Sequence, residues 1–501
     1  GFIGSNDKKD YAVKNFKKDG NIYQLKIQNK GDITAPFPVS AIRDGEIVST
    51  QWYEGFEGSQ TVDYPFGEYD LIMIDGPHYT LDVNRQNNQI KTKGGLKKLN
   101  PIRSKFLIGM EHSQKNSFYW SPIAHWNKYD GLMLGVGLYN SILPERPFEF
   151  ALAPSFAFDS EQLNGIGFAH YNIYPRKGLF RKVSIGANFK RYSNNYLNRD
   201  SVLETHLSFY RIAPTINFDI RTNPAGNYRG KLQMRALIIG EETTNFNNDG
   251  MYTGNSTDQN VIYQISYTGV QDRVLNPYSY QILLEQQSYD NPFGDRENYL
   301  KASFELNASY TYERGRNIDL RLFVGKFILN SRRDSRSYSN VFTRGSFALI
   351  HQGFNDYQYD NVHFGRSEQN GLLSQQINHR EGGFKNAFGS QQNIGQSNDF
   401  IAAANLQIDL PINAPILRNI KPYLDLGYFN RSELLNEEPS FSDQFIYSGG
   451  AMIELLNGAF TVHFPFLNSD KLKDLYDQRD GGSFGSRISF TLRLRDLNPW
   501  K

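Results

Sequence analysis

Chemistry needs side chains at set spacings, and the chain offers few. Nine histidines are scattered along it and cysteine is absent. No His-Glu-x-x-His pair could hold zinc on a helix, and no Gly-x-Ser-x-Gly elbow, phosphate loop or dinucleotide fingerprint occurs in a strand-to-helix context. Glu111 and His112 are adjacent, but neighbours on a strand point to opposite faces, so they read as ordinary strand residues. No catalytic residue, metal ligand or cofactor site is expected in this chain. What remains is a set of charges at alternate positions of extended stretches: Lys301, Glu305, Asp319, Arg321, Asp409, Asp425, Arg487, Arg493 and Arg495. Such a set lines a solute path or pairs across an interior, and mutual pairing is the plainer of the two. The run Arg332-Arg333-Asp334-Ser335-Arg336 offers charge for lipopolysaccharide phosphates, but a solvated charge run is the simpler reading.

The elements that position these residues are strands with one apolar face. From Ser486 to Asp496, Ile488, Phe490, Leu492 and Leu494 face one way, while Arg487, Ser489, Thr491, Arg493 and Arg495 face the other. Leu300 to Tyr312 repeats the pattern with Leu300, Ala302, Phe304, Leu306, Ala308, Tyr310 and Tyr312 against Lys301, Ser303, Glu305, Asn307, Ser309 and Thr311. Similar stretches recur to the end of the chain, and too few helical segments exist to cover their apolar faces. Lipid is the cover that remains. A closed barrel turns apolar residues outward, polar residues to the lumen, and leaves no free edge.

Composition agrees. The 501 residues carry a net charge of +2, which gives no electrostatic case for nucleic acid. Mean hydropathy is −0.56, and no stretch approaches the roughly 18 apolar residues of a membrane-spanning helix. A barrel tolerates this, because half of each strand and the long loops face water. Tyr310, Tyr312 and Trp500 suit an interfacial aromatic girdle. Residues 1–20 are polar and lysine-rich, without an apolar leader, so either a leader has been removed or the chain continues something longer; its abrupt start favours the second.

From Tyr11 to Thr92 short strands alternate with turns such as Asp44-Gly45, which predicts an immunoglobulin-like β-sandwich over residues 1–98. Residues 99–501 are expected to form a transmembrane antiparallel barrel of about 16 or 18 strands. Its connections alternate in length. Short turns such as Pro175 to Gly178 and Glu313 to Arg316 oppose long loops at Tyr192 to Thr205, Glu241 to Asn260, Ser288 to Asn298, Asn330 to Phe400, Arg431 to Gln444 and Pro465 to Gly485. Outer-membrane barrels place short turns in the periplasm and long loops outside, which puts the sandwich on the periplasmic side. A strand hidden within Ser346 to Tyr359 is a further expectation.

Residues 29–98, with NKGDITAPFPVSAIRDGEIVSTQWYEGFEGSQTVDYPFGEYD and DVNRQNNQIKTKGGLKK, resemble the segment that follows the catalytic region in thermolysin-like zinc aminopeptidases of Bacteroidetes. The similarity continues through FLIGMEHSQKNSFYWSPIAHWNKYDGLMLGVGLYN, FGRSEQNGLLSQQINHREGGFK and LNPWK. The resemblance implies a secreted metallopeptidase whose zinc ligands and general base lie in a domain before Gly1. None of them maps onto this chain. The expected function is therefore an outer-membrane barrel that anchors, and feeds, an upstream zinc peptidase; the alternatives are a pore for peptides or small solutes and a structural subunit of an envelope complex. Expected partners are outer-membrane lipid and lipopolysaccharide, peptides or other envelope proteins, and no nucleic acid.

Overall fold

The computed structural model describes residues 8–109, 115–140, 145–175, 177–199, 203–223, 225–247, 249, 251–290, 296–331, 345–387, 394–412, 414, 417–430, 444–480 and 482–493. Glu111, His112, the run 332–336, Arg495 and Trp500 lie outside the described residues. The chain divides into two compact units, residues 1–121 with 138–143, and residues 122–137 with 144–501.

In the first unit, β1 (Tyr11–Asp19), β2 (Ile22–Asn29) and β5 (Ser59–Pro65) form one sheet. A second sheet has the order β4 (Glu46–Tyr53), β3 (Phe37–Arg43), β6 (Leu71–Ile74) and β7 (Gln89–Lys91). Alternation sends Leu25, Ile27, Val62 and Tyr64 of the first and Phe37, Val39, Ala41, Ile72 and Ile74 of the second into one shared core. Tyr11 stacks on Phe37 there at 4.3 Å. Asp75, fully buried, caps the loop after β6 by accepting from Tyr79 N, Thr80 N and Arg85. Ile27 is completely enclosed, so Ile27→Ala is expected to destabilise this unit by about 2–5 kcal/mol; a lower denaturation midpoint, or faster proteolysis within residues 8–98, checks it.

The remaining long strands close on themselves. They are β8 (Ile102–Phe106), β9 (Asn116–Asn127), β10 (Gly131–Tyr139), β11 (Phe148–Ala157), β12 (Leu163–Ile173), β13 (Phe180–Arg199), β14 (Leu203–Ile220), β15 (Tyr228–Phe246), β16 (Tyr252–Gln271), β17 (Tyr278–Asp290), β18 (Arg296–Glu313) and β19 (Arg316–Asn330). After four two-residue strands, β20 (Phe347–Ala348), β21 (His351–Gln352), β22 (Ile377–Asn378) and β23 (Gln396–Ser397), come β24 (Phe400–Ile408), β25 (Ile420–Asn430), β26 (Phe445–Leu455), β27 (Phe460–Asn468) and β28 (Ser489–Leu492). Helices α1 (Asp470–Asp480) and α2 (Phe484–Arg487) separate the last two strands.

Among the described residues the closed sheet holds seventeen strands, beside the expected even count of 16 or 18. Evenness follows only when every neighbour is antiparallel, and β8 runs parallel to β9. Three expected long loops, Tyr192 to Thr205, Glu241 to Asn260 and Ser288 to Asn298, are continuations of hairpins: β13 pairs with β14 from Phe180↔Ile220 out to Arg199↔Leu203, β15 with β16 out to Phe246↔Tyr252, and β17 with β18 out to Asp290↔Arg296. Their polar sequences read as loops, yet ladder pairing satisfies the backbone groups of their described residues. The expected strand Ser486 to Asp496 begins later, because residues 484–487 are helical and strand pairing starts at Ser489; residues 494–496 lie outside the described residues.

The wall is inside out. Along β16, Ile262, Gln264 and Ser266 are buried while Tyr263 and Ile265 are 56% and 46% exposed. Ile185, Ile212, Met234, Ile282, Leu284, Phe304 and Val324 are likewise exposed, and the intervening Ser184, Arg211, Thr215, Glu285 and Lys301 are buried. No water-soluble core has this polarity.

Candidate functional site: a plugged lumen

The described parts of the longest connection turn inward. Residues 345–387 and 394–399 fold against the inner wall. Phe347, Leu349, Ile350 and Phe384 pack with Tyr299, Phe323, Phe327, Ile401, Ala403, Phe429 and Ile446 from the wall and with Leu472, Leu475 and Tyr476 of α1. Short pairings β20 with β23 and β21 with β22 hold the segment in shape. The strand expected within Ser346 to Tyr359 is thus reduced to two pairs of residues. Gly383, at φ +67°, turns the chain so closely past Arg321 that any side chain would meet the guanidinium.

Polar side chains fix the plug to the wall. Glu285 accepts from Gln264 at 2.5 Å, Tyr357 at 2.7 Å and Tyr299 at 2.8 Å, as well as from Gln358, and lies 3.3 Å from Lys301 Nζ. Lys301 in turn donates to Gly345 O at 2.6 Å and Tyr357 Oη at 2.7 Å. Asp360 lies 3.0 Å from Arg211 and 2.7 Å from Arg235. Within the plug, Arg366 donates to Asp356 and stacks over Tyr359. Glu381 accepts from Ala348 N at 2.7 Å and lies 3.0 Å from His351 Nε2. On the other side Lys385 donates to Asp425 at 2.7 Å, and Phe364 and Glu368 meet Trp126, Lys128 and Tyr129. The contacts run from β9 round to β25, so the segment crosses the lumen.

The nine candidate lining residues divide accordingly. Lys301, Arg321 and Asp425 bind the plug: Arg321 donates to Glu381 O at 2.5 Å, to Asn405 at 3.1 Å and to Glu305 at 2.7 Å. Glu305 thereby serves through Arg321. Asp319 accepts from Ser309 and Gln407, and Asp409 pairs with Lys421 at 2.9 Å, both away from the plug. Arg493 donates to Gly458 O at 3.1 Å. Arg487 is a correction: it sits on α2 rather than a strand, stacked over Tyr476 and 3.7 Å from Asp477. Every described member has a hydrogen-bond or ion-pair partner. Sequence reasoning missed Asp356, Asp360, Arg366, Arg380, Glu381 and Lys385 because they lie in a segment read as a solvated loop. The signal was its large apolar residues, Phe347, Leu349, Ile350 and Phe384, which a solvated loop has no use for.

Electrostatics in the plug oppose acid. Burial and the Arg366 guanidinium push His363 down to about 3, consistent with Nε2 accepting from Asn378 at 2.9 Å. Burial, then His463 and Lys385, holds His379 well below its usual range. Burial alone would raise Glu381, but His351, Lys301 and Arg380 bring it down to about 2. The unfolded histidines take up protons below about pH 6.5 while the seated ones do not, so stability falls from there toward pH 3 by up to about 1.4 kcal/mol per pH unit per group. Glu381 adds to the loss from about 4.5 downward. Unfolding midpoints measured in detergent should therefore fall steadily between pH 6 and 4.

The geometry defines a class: a closed β-barrel whose lumen is filled by its own longest inter-strand segment. No family model matches the chain, and no characterised protein matches it in sequence. Solved structures similar to it include BamA from Haemophilus ducreyi lacking POTRA domains 1–3 (14% identity, TM-score 0.37, covering 70% of this chain and 69% of that one). CdiB from Acinetobacter baumannii follows at 12% identity and TM-score 0.35, covering 72% of this chain and 60% of that one. The FrpB iron transporter from Neisseria meningitidis, F5-1 variant, stands at 8% and 0.24, covering 90% and 66%. The chain thus spans less than two thirds of the CdiB and FrpB chains. Similarity this low carries no functional argument.

Proposed function

We propose that the chain is an outer-membrane β-barrel that anchors, and feeds, a zinc metallopeptidase domain carried upstream in the same polypeptide, with its amino-terminal sheets forming an immunoglobulin-like sandwich on the periplasmic side. Zinc belongs to that upstream domain in this reading. The observation that carries the membrane part is the polarity of the wall: a continuous outer face of Ile, Leu, Phe, Met and Tyr over a lining of buried Ser, Gln, Glu, Arg and Lys. Exposed apolar surface on this scale needs lipid to cover it. Lipid and lipopolysaccharide would surround the band, and peptides or other envelope proteins would meet its rims.

Two experiments test the reading. Expressed in a Gram-negative host with an export signal, the chain should fractionate with the outer membrane and resist alkaline extraction; recovery in the soluble periplasm would refute it. The longer polypeptide should hydrolyse peptides and lose that activity on chelation, while the 501-residue chain should not hydrolyse them at all. Within the band, Ile265→Arg should destabilise the folded barrel in lipid by about 2–4 kcal/mol, read from denaturant titration in bilayers; an equal effect in detergent and lipid would count against an outward-facing Ile265. A pore for peptides or small solutes is the second reading, favoured by the polar lining beyond the plug, where Ser309, Asn317, Asp319, Gln407 and Asp409 bond one another.

A further inference from the structure

Two of the scattered histidines are brought together, their rings tilted by 54°, across the boundary between plug and wall. His463 on β27 is fully buried, and the His379 ring lies 5.2 Å from it, centroid to centroid. The Nε2 atoms of both are buried and without a hydrogen-bond partner. That is costly in an interior, where nearly every polar atom finds one. The tautomer of His463 can be worked out. Ser489 Oγ donates to Lys385 O at 2.8 Å, so its proton is spent, and the His463 Nδ1 at 3.1 Å must donate to it. Nε2 then carries a lone pair. A ring whose Nδ1–H is held by an oxygen and whose Nε2 is free is poised as a metal ligand.

The third donor comes from strand register. Met452 pairs directly with His463 in the β26–β27 ladder, so both side chains stand on the inner face, and Met452 is only 1% exposed. Residues directly opposite have Cβ atoms about 4.5–5.5 Å apart, within reach of one ion. Two imidazoles and a thioether form a neutral set without carboxylate. The surrounding charge is positive: Lys385 is paired with Asp425 and Arg321 with Glu305, each at 2.7 Å, and the Arg493 guanidinium, which donates to Gly458 O, also acts on both rings. Such a site disfavours a hard divalent ion and suits a soft monovalent one. Thioether and imidazole together select Cu(I).

We propose that His379, His463 and Met452 form a Cu(I) site that staples the plug to the barrel wall. The full chain, purified in detergent and stripped of metal, is titrated with Cu(I) under ascorbate against bicinchoninate as competing chelator. One Cu(I) per chain should be retained, with a sulfur shell in its X-ray absorption spectrum. H379A and H463A should lose it, M452L should lose the sulfur shell and bind at least about tenfold more weakly, and S489A should weaken binding about ten- to a hundredfold by freeing the ring. H206A, remote from the pair, should bind as the parent does. The near-isosteric M452L keeps the test valid should either histidine variant fail to fold. Removal of all copper by the chelator, or full retention in both M452L and H379A, would overturn the proposal.

Discussion

Excision of residues 346–387, with the ends joined by a short Gly/Ser linker, is expected to convert a silent barrel into a conducting one. A closed sheet of about 16 to 18 strands leaves an aqueous channel when its interior is empty. Here the interior is filled: Phe347, Leu349 and Phe384 seal one side against Phe323, Phe429 and Leu472, and the charged groups around Asp360 and Glu285 fill the other. Excision removes both layers and leaves the ladder between β19 and β24 intact, because Ile318↔Ile408 through Lys326↔Phe400 are wall pairs. Planar-bilayer recordings should show no steps for the intact chain and large, long-lived steps for the shortened one. Equal conductance from both would mean that the plug does not close the lumen. Silence from a correctly folded shortened barrel would remove the pore reading altogether.

The second large effect is expected at Glu285. Its carboxylate gathers Gln264, Tyr299, Tyr357, Gln358 and Lys301, and the last is itself almost wholly buried. Glu285→Ala strands the Lys301 ammonium in a low-dielectric interior, at a cost of about 3–5 kcal/mol. Glu285→Gln keeps the volume and much of the hydrogen bonding, so it should fall between the two. The informative control is the double variant Glu285→Leu with Lys301→Met, which removes both charges at once and should recover most of the loss. Urea titration of the refolded barrel measures all three. If the double variant were no better than Glu285→Ala, the ion pair would not be the source of the effect.

How much of this was written in the chain depends on what each residue meets. Wall strands such as Leu300 to Tyr312 were legible, since period-two alternation is a local property and lipid makes its contrast strong. The extended ends of β13 to β16 were not, because Asn194, Asn195, Thr243, Thr244 and Asn255 gain their place from a partner strand rather than from burial. The odd strand count escaped for a similar reason: parallel pairing of Ile102 to Phe106 is a matter of topology, and both orientations have the same periodicity. The plug was the largest omission. Asp360 meets Arg211 and Arg235 across about 149 and 125 residues of chain, and no spacing rule reaches that far. The charged wall positions Lys301, Arg321 and Asp425 could be placed on the inner face from sequence, but their partners could not be named.

The hairpins that outrun the wall deserve one more step of reasoning. From Tyr252 to Gln259 nearly every residue of β16 is solvent-facing on both sides, and the burial alternation begins only at Asn260, although the ladder with β15 runs without a shift from Gly254 to Val261 and beyond. A membrane crossing uses about 9 to 11 tilted residues, so roughly half of this 20-residue strand stands clear of any bilayer as a stiff mast. Any molecule that touches such a projection meets a surface whose disorder was already surrendered during folding, and it can bind without bearing the entropic penalty that a floppy tether would impose.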